Sequence, residues 1–197
     1  MENSHQRNHS TTTYQLVTMS LLSALSLILM FLAIPIIPIA PYMKLDFSDL
    51  PILIGAAAFG PGAGLIIAGL KSLLYWFMTG ASIPGLIGIF SSFVASAMLI
   101  FGFALLRDRF KKSQFLNHVL TIVAMTGLLT VVMALMNWSF VIPLYMNLIG
   151  MKIGMPLNSL ILLAVIPFNL IKGIVIGGLF IFILIKIVPR LKIKGDQ

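Results

Sequence analysis

Charge in this chain is confined to a few short segments, and the stretches between them are too long and too apolar for a soluble fold. No Asp, Glu, Lys or Arg occurs from Asn8 to Met43, Leu50 to Leu70, Ser72 to Leu106, Ser113 to Met151 or Gly173 to Ile185. A helix needs about 20 apolar residues to cross a hydrocarbon core of roughly 30 Å, and these stretches supply several. Of the 197 residues, 59% are hydrophobic and 9% charged, against roughly 25% charged in a soluble domain. So few charges cannot cover a water-soluble surface, which excludes soluble enzymes, nucleic-acid binders and disordered chains. A disulfide scaffold is excluded because there is no cysteine. The excess of 13 Lys+Arg over 5 Asp+Glu reads as loops anchored beside anionic lipid, with no nucleic acid as partner. The expected class is an all-α integral membrane protein embedded in the lipid bilayer.

Proline and glycine divide the apolar stretches into helices. The first is expected from about Tyr14 to Ile34, stopped at Pro35, and long enough to be kept as an anchor rather than cleaved. A stiff segment with Pro35, Pro38 and Pro41 leads to the polar run Lys44-Leu-Asp46-Phe-Ser48-Asp49. Further helices are expected at Leu50–Phe59, Ala63–Met78, Gly85–Leu106, Phe115–Ile142 (ended by Pro143) and Asn158–Ile187 (kinked near Pro167). Leu50–Phe59 is only about 15 Å long, half a bilayer, so Leu50–Leu70 is also readable as one kinked span. Gly60-Pro61-Gly62 favours a hairpin, and a five-span chain would leave Leu73-Leu-Tyr-Trp-Phe-Met78 as loop.

Six spans are therefore expected, with both termini cytoplasmic. That arrangement puts Arg7, Arg107, Arg109, Lys111, Lys112, Lys186, Arg190, Lys192 and Lys194 inside, and only Lys44 and Lys152 outside. Residues 1–13 then form a polar tail, 14–187 the membrane domain and 188–197 a basic tail. His5 and His9 in the first tail lack the further ligands that a zinc site needs, and no metal site is expected.

An ionisable residue at the centre of a span costs at least about 2.5–3.5 kcal/mol, so it faces a cavity or a partner. Lys71 and Lys172 are such residues. Asn169 and Lys172 are three apart and share a helical face beside Pro167, and Asn137 lies within the fifth helix. Asn and Lys on one face favour a polar cavity over a simple tie between helices. In the run from Lys44 to Asp49, Ser48 or Asp49 can cap the next helix, with Pro51 allowed in its first turn. Phe47 within the polar run, and the prolines before it, fit a loop folded back over a cavity as a lid. Gly64-Leu-Ile-Ile-Ala-Gly69-Leu-Lys71-Ser72 imitates a nucleotide loop but has one residue too many and sits in an apolar helix. Ser20, Ser23 and Ala24 give the first helix a small-residue face suited to close helix contact.

These residues resemble the substrate-binding S components of energy-coupling factor (ECF) vitamin transporters, in particular their riboflavin-binding members. The likeness rests on Lys44-Leu-Asp-Phe-Ser-Asp-Leu-Pro51, Phe59-Gly-Pro-Gly62, Leu70-Lys71, Met136-Asn137 with Pro143, and Ile166-Pro-Phe-Asn-Leu-Ile-Lys-Gly173. It implies six helices and a vitamin site open to the outside beneath the loop between helices 1 and 2. It also implies a transmembrane coupling subunit and two ATP-binding cassette ATPase subunits as partners. Riboflavin would be cargo, with no cofactor and no catalysis. By resemblance, Asn137, Asn169 and Lys172 read the edge of the flavin ring, while Leu45, Asp46 and Phe47 cover the ligand. Lys71 has three open roles: touching the ligand, pairing with a loop aspartate, or meeting the phosphate of FMN. The coupling partner would dock on Ser20 and Ala24; the family pattern often has alanine there, and serine at 20 departs from it while staying small.

Alternatives are an S component for FMN, a flavin analogue or another vitamin, a membrane-embedded metal-dependent lipid phosphotransferase using Asp46 and Asp49, and an ion-coupled transporter. The second lacks further converging carboxylates or a base, and the third lacks acids within spans and an internal repeat.

Overall fold

The computed structural model describes residues 2–106 and 114–186, with side chains from Thr12 onward. The basic loop Arg107–Lys112, Ile187 and the tail 188–197 lie outside the described residues, as do the side chains of Arg7, His5 and His9. Six helical rods account for most of the described chain: α1 (Glu2–Phe31), α2 (Asp49–Phe59), α3 (Pro61–Met78), α4 (Ile83–Leu106), α5 (Gln114–Ile149) and α6 (Leu157–Lys186). All but α2 are long and apolar enough to cross a membrane. In α1 the backbone is helical from Glu2, so the polar segment continues the rod, and its apolar, span-length part is Thr12–Phe31.

Helix α2 has eleven residues and is apolar around its circumference, which suits a buried helix. It packs against α1, α3, α4 and α6 and so forms the hub of the bundle. Leu50–Leu70 is not one kinked helix. The chain reverses at Gly60, whose φ of 95° a side chain would strain, and Pro61 starts α3 where a missing N–H costs nothing. Returning, α3 lies against α2 so closely that a Cβ on Gly64 would come 2.7 Å from that of Ala56. The core above and below this hairpin comprises Ile52, Leu53, Ile67, Leu99, Ile100, Met125, Leu129, Ile176 and Phe180. Phe103 and Phe180 meet edge to face at 4.9 Å.

Pro143 does not end the fifth helix. The rod passes it and continues to Ile149, because the preceding turn, Asn137–Val141, widens to π geometry. Pro167 is likewise preceded by a π turn at Ile161–Val165. A wide turn relieves the clash between a proline ring and the carbonyl four residues back, so both helices continue.

The segment between α1 and α2 folds back on itself, pairing β1 (Ile34–Pro35) antiparallel with β2 (Lys44–Leu45). Its Ala40 is fully buried with Ile142, Leu160, Ile161, Ala164 and Val165, while Ile37 and Met43 pack alongside. A second, smaller core thus pins the loop onto the π-turn halves of α5 and α6.

Along α1, Met19, Ser23 and Ser26 form the buried stripe, whereas Ser20 and Ala24 are exposed. Ser23 therefore does not share their outward face; its hydroxyl donates to the Met19 carbonyl. Helices α4 and α5 touch through Gly102, where a Cβ would lie 2.6 Å from the Met125 Cα. Gly102→Leu should thus lower stability by about 1–3 kcal/mol through overpacking. Gly178→Leu, at a position with nothing within 4 Å, should leave the melting temperature of detergent-purified protein nearly unchanged.

Candidate functional site

One cavity of about 450 Å³ opens between the folded-back loop and α1, α3, α4, α5 and α6, within the roughly 300–1,000 Å³ of small-molecule sites. Apolar wall comes from Met30 of α1, Met133 and Val141 of α5 and Phe168 of α6. One wall is kept thin by Gly85, Gly88, Ser92 and Ala95, small residues at helical spacing on α4. The exposed end carries Tyr42 and Lys44 from the loop. Partial burial raises the Tyr42 phenol above its usual range, so it remains a neutral hydroxyl donor there.

Polar groups gather at the buried end. Asn137, Asn169, Lys172 and Asp46 all line the cavity and are at most 6% exposed. The two asparagines belong to different helices and are held alike. Asn137 Nδ2 donates to the Met133 carbonyl and Asn169 Nδ2 to the Val165 carbonyl, both at 2.8 Å. Each amide keeps its oxygen and one N–H for other partners. Asn137 opens the π turn of α5, and Asn169 lies one turn beyond that of α6. The widened turns that accommodate the prolines therefore also lie next to the residues that present these amides.

Lys172 is tied to two carboxylates. Its Nζ lies 2.9 Å from Asp49 Oδ2 and 3.8 Å from Asp46 Oδ2. Asp49 also accepts from the Ser96 hydroxyl, and Asp46 Oδ1 accepts the Ser48 N–H at 2.9 Å. Ser48 is fixed in turn, its carbonyl accepting from the Ser26 hydroxyl of α1.

Three residues expected in the binding set do not line the cavity. Lys71 is fully buried beneath the loop, where its Nζ donates to Ser48 Oγ at 3.2 Å and Ser92 Oγ at 3.3 Å. Among the described residues it makes no ion pair with a loop aspartate within 4.0 Å, and it meets the cavity only through Ser92, which lines it. Phe47 turns away from the cavity and packs against the central core, and half-buried Leu45 sits in β2 opposite Ile34. Of the loop, it is Tyr42, Met43, Lys44 and Asp46 that face the cavity. The sequence does not single out Ser92 or Ser96, and it marks Asp49 only as a cap for the next helix or, in the phosphotransferase alternative, as a metal ligand. The spacing Gly85, Gly88, Ser92, Ala95 was the available signal for the α4 wall, and nothing local marks Asp49 as the partner of Lys172.

Removing one partner of a buried ion pair leaves an uncompensated charge and costs about 3–5 kcal/mol. Asp49→Ala is expected to lower thermal stability on that scale in detergent. Lys152→Ala, which removes an exposed lysine, should not.

Comparison with known proteins places this geometry in context. The family described as "ECF transporter, substrate-specific component" matches residues 14–184. The chain is 34% identical over 181 residues to the riboflavin transporter RibU of Staphylococcus aureus (strain TCH60), covering 90% of this chain and 92% of that protein. It is 29% identical over 177 residues to the riboflavin transporter FmnP of Bacillus subtilis (strain 168), covering 89% and 92%. A solved S component of a bacterial ECF transporter superposes with a TM-score of 0.70 at 34% identity, covering 92% of this chain and 99% of that one. With five apolar helices of spanning length, the chain is a multi-pass cell-membrane protein, and it belongs to the substrate-specific components of ECF transporters.

Proposed function

We propose that this chain captures riboflavin in the cavity described above and serves as the riboflavin-specific subunit of an ECF transporter. A transmembrane coupling subunit and two ATPase subunits would supply the energy. The observation that carries the reading is the pairing of an apolar, thin-walled cavity with Asn137, Asn169 and Lys172 at its buried end. Isoalloxazine is flat and largely apolar, with carbonyl and imide groups along one edge. The asparagine amides can both donate to and accept from that edge, and Lys172 can donate to a carbonyl. The hydroxylated ribityl chain would then extend toward Tyr42 and Lys44 at the exposed end. In this arrangement Leu45 and Phe47 support the loop from behind, and the cargo undergoes no chemical change.

The proposed topology has six crossings, with both termini cytoplasmic and the cavity facing outward. Helix α2 is about 16 Å long by its eleven residues, so it completes its crossing with the folded-back loop, whose irregular backbone is buried in protein. Lys186 and the basic residues of the 107–112 loop and the C-terminal tail fall on the cytoplasmic side by this count. On α1, the exposed Ser20 and Ala24 lie one turn apart and would receive the coupling subunit.

Asn137→Ala and Asn169→Ala should each weaken riboflavin binding by about tenfold or more, the scale of one well-made hydrogen bond with its penalty. Quenching of flavin fluorescence in titrations reads this directly, and wild-type affinity in both variants would rule out the assignment. Ala24→Trp should abolish riboflavin uptake by cells while leaving the affinity of the purified protein unchanged. Normal uptake in that variant would move the docking surface elsewhere.

A further inference from the structure

Lys71 is, with Phe180, among the largest fully buried side chains of the described residues, yet it neither lines the cavity nor lies within 4.0 Å of a carboxylate. A buried ammonium so placed needs a reason, because a charge at membrane depth is stable only when it is compensated. Its hydrogen bonds supply one. Through Ser48 it reaches Asp46, whose Oδ1 accepts the Ser48 N–H at 2.9 Å. Toward Asp49 it donates to the Ser92 hydroxyl on α4, and one turn along that helix the Ser96 hydroxyl, 3.1 Å from the Ser92 backbone carbonyl, donates to Asp49. Asp46 and Asp49 then converge on Lys172. The contacts form a closed ring from α3 through the loop, α6, α2 and α4 back to α3.

The ring holds two carboxylates and two ammonium groups, so its formal charge is zero. Toward Lys71 the loop brings Asp46, α2 brings Asp49 and α6 brings Lys172, while α1 and α4 bring serine hydroxyls among the described residues. Lys44 belongs to the exposed end of the cavity and sits outside the ring.

We infer that Lys71 is a positioning residue for ligand capture: it is the second cation of a charge-neutral ring that holds Lys172 at the cavity wall and fixes the loop through Ser48. This inference rests on the riboflavin reading above and extends it to a residue that does not touch the ligand. With Lys71 present, Lys172 need not neutralise both acids, and one of its donors is free for a ligand carbonyl. Without Lys71, two carboxylates share one ammonium. Lys172 is drawn between them, and the surplus negative charge is cancelled only when one carboxylate takes up a proton.

That mechanism gives a pH signature that a packing role would not. In Lys71→Met, which keeps the bulk and removes the charge, the folded protein holds a carboxylate proton to higher pH than the unfolded chain, whose carboxylates titrate near pH 4. Stability and affinity therefore fall as pH rises through the folded-state value. Riboflavin affinity of Lys71→Met should be about tenfold below wild type near pH 8 and approach it near about pH 5.5, with wild type flat between them. Lys71→Arg should restore the flat profile. Melting temperatures without ligand should follow the same pattern, and adding Asp46→Asn to Lys71→Met should raise the melting temperature near pH 8 by restoring neutrality. An equal loss at both pH values, or a double variant no more stable than the single, overturns the inference. If wild type fails to bind riboflavin, the flavin reading falls instead, and the ligand-free melting series still decides the role of Lys71.

Discussion

The ion pair between Lys172 and Asp49 is the interaction on which the rest of this structure depends. Its ends come from the sixth rod and from the start of the short second helix, and both groups are buried. A pair at this depth is stable only with close geometry and further hydrogen bonds, and the fold is arranged to provide them. The α2–α3 hairpin at Gly60-Pro61 sets α2 in the middle of the bundle. The proline-stiffened loop folds back to bring Asp46 and Ser48 to the same point, and α4 supplies Ser96. Tight glycine contacts such as Gly102 on Met125 keep the surrounding helices close enough for these reaches.

The cavity is the open side of that polar knot. Its buried end presents an ammonium and two amides whose positions are already set by hydrogen bonds within the protein, so little ordering remains to be done on binding. The π turns before Pro143 and Pro167 have two consequences. They let the helices run past proline, and they leave Asn137 at the start of one widened turn and Asn169 one turn beyond the other. A preformed site of this kind suits a substrate-specific component.

Much of this was legible because charge is so scarce. In a chain with uncharged stretches of this length, Lys172 beside Asn169 stands out, and their spacing alone puts them on one face. The Gly60-Pro61-Gly62 break likewise marks the hairpin. What the sequence hid was three-dimensional closure. Ser96 and Asp49 are 47 residues apart and Lys71 and Ser48 are 23 apart, so no local pattern joins them. Sequence depth could mark Lys71 as buried, but not that it faces the underside of the loop. Phe47 reads as part of a lid because it interrupts a polar run, and its side chain packs against the edge of the core instead of lining the cavity. Pro143 looked like a helix end because a π turn has no signature in residue type.

The central claim is that the buried end of this cavity reads the edge of a flavin ring. A structure of the protein with riboflavin bound tests it most directly. The isoalloxazine should lie against the α4 wall of Gly88, Ser92 and Ala95, with its polar edge within hydrogen-bond distance of Asn137, Asn169 and Lys172. A flavin bound outside this cavity, or one whose ring edge faces Lys44 at the exposed end, would contradict it.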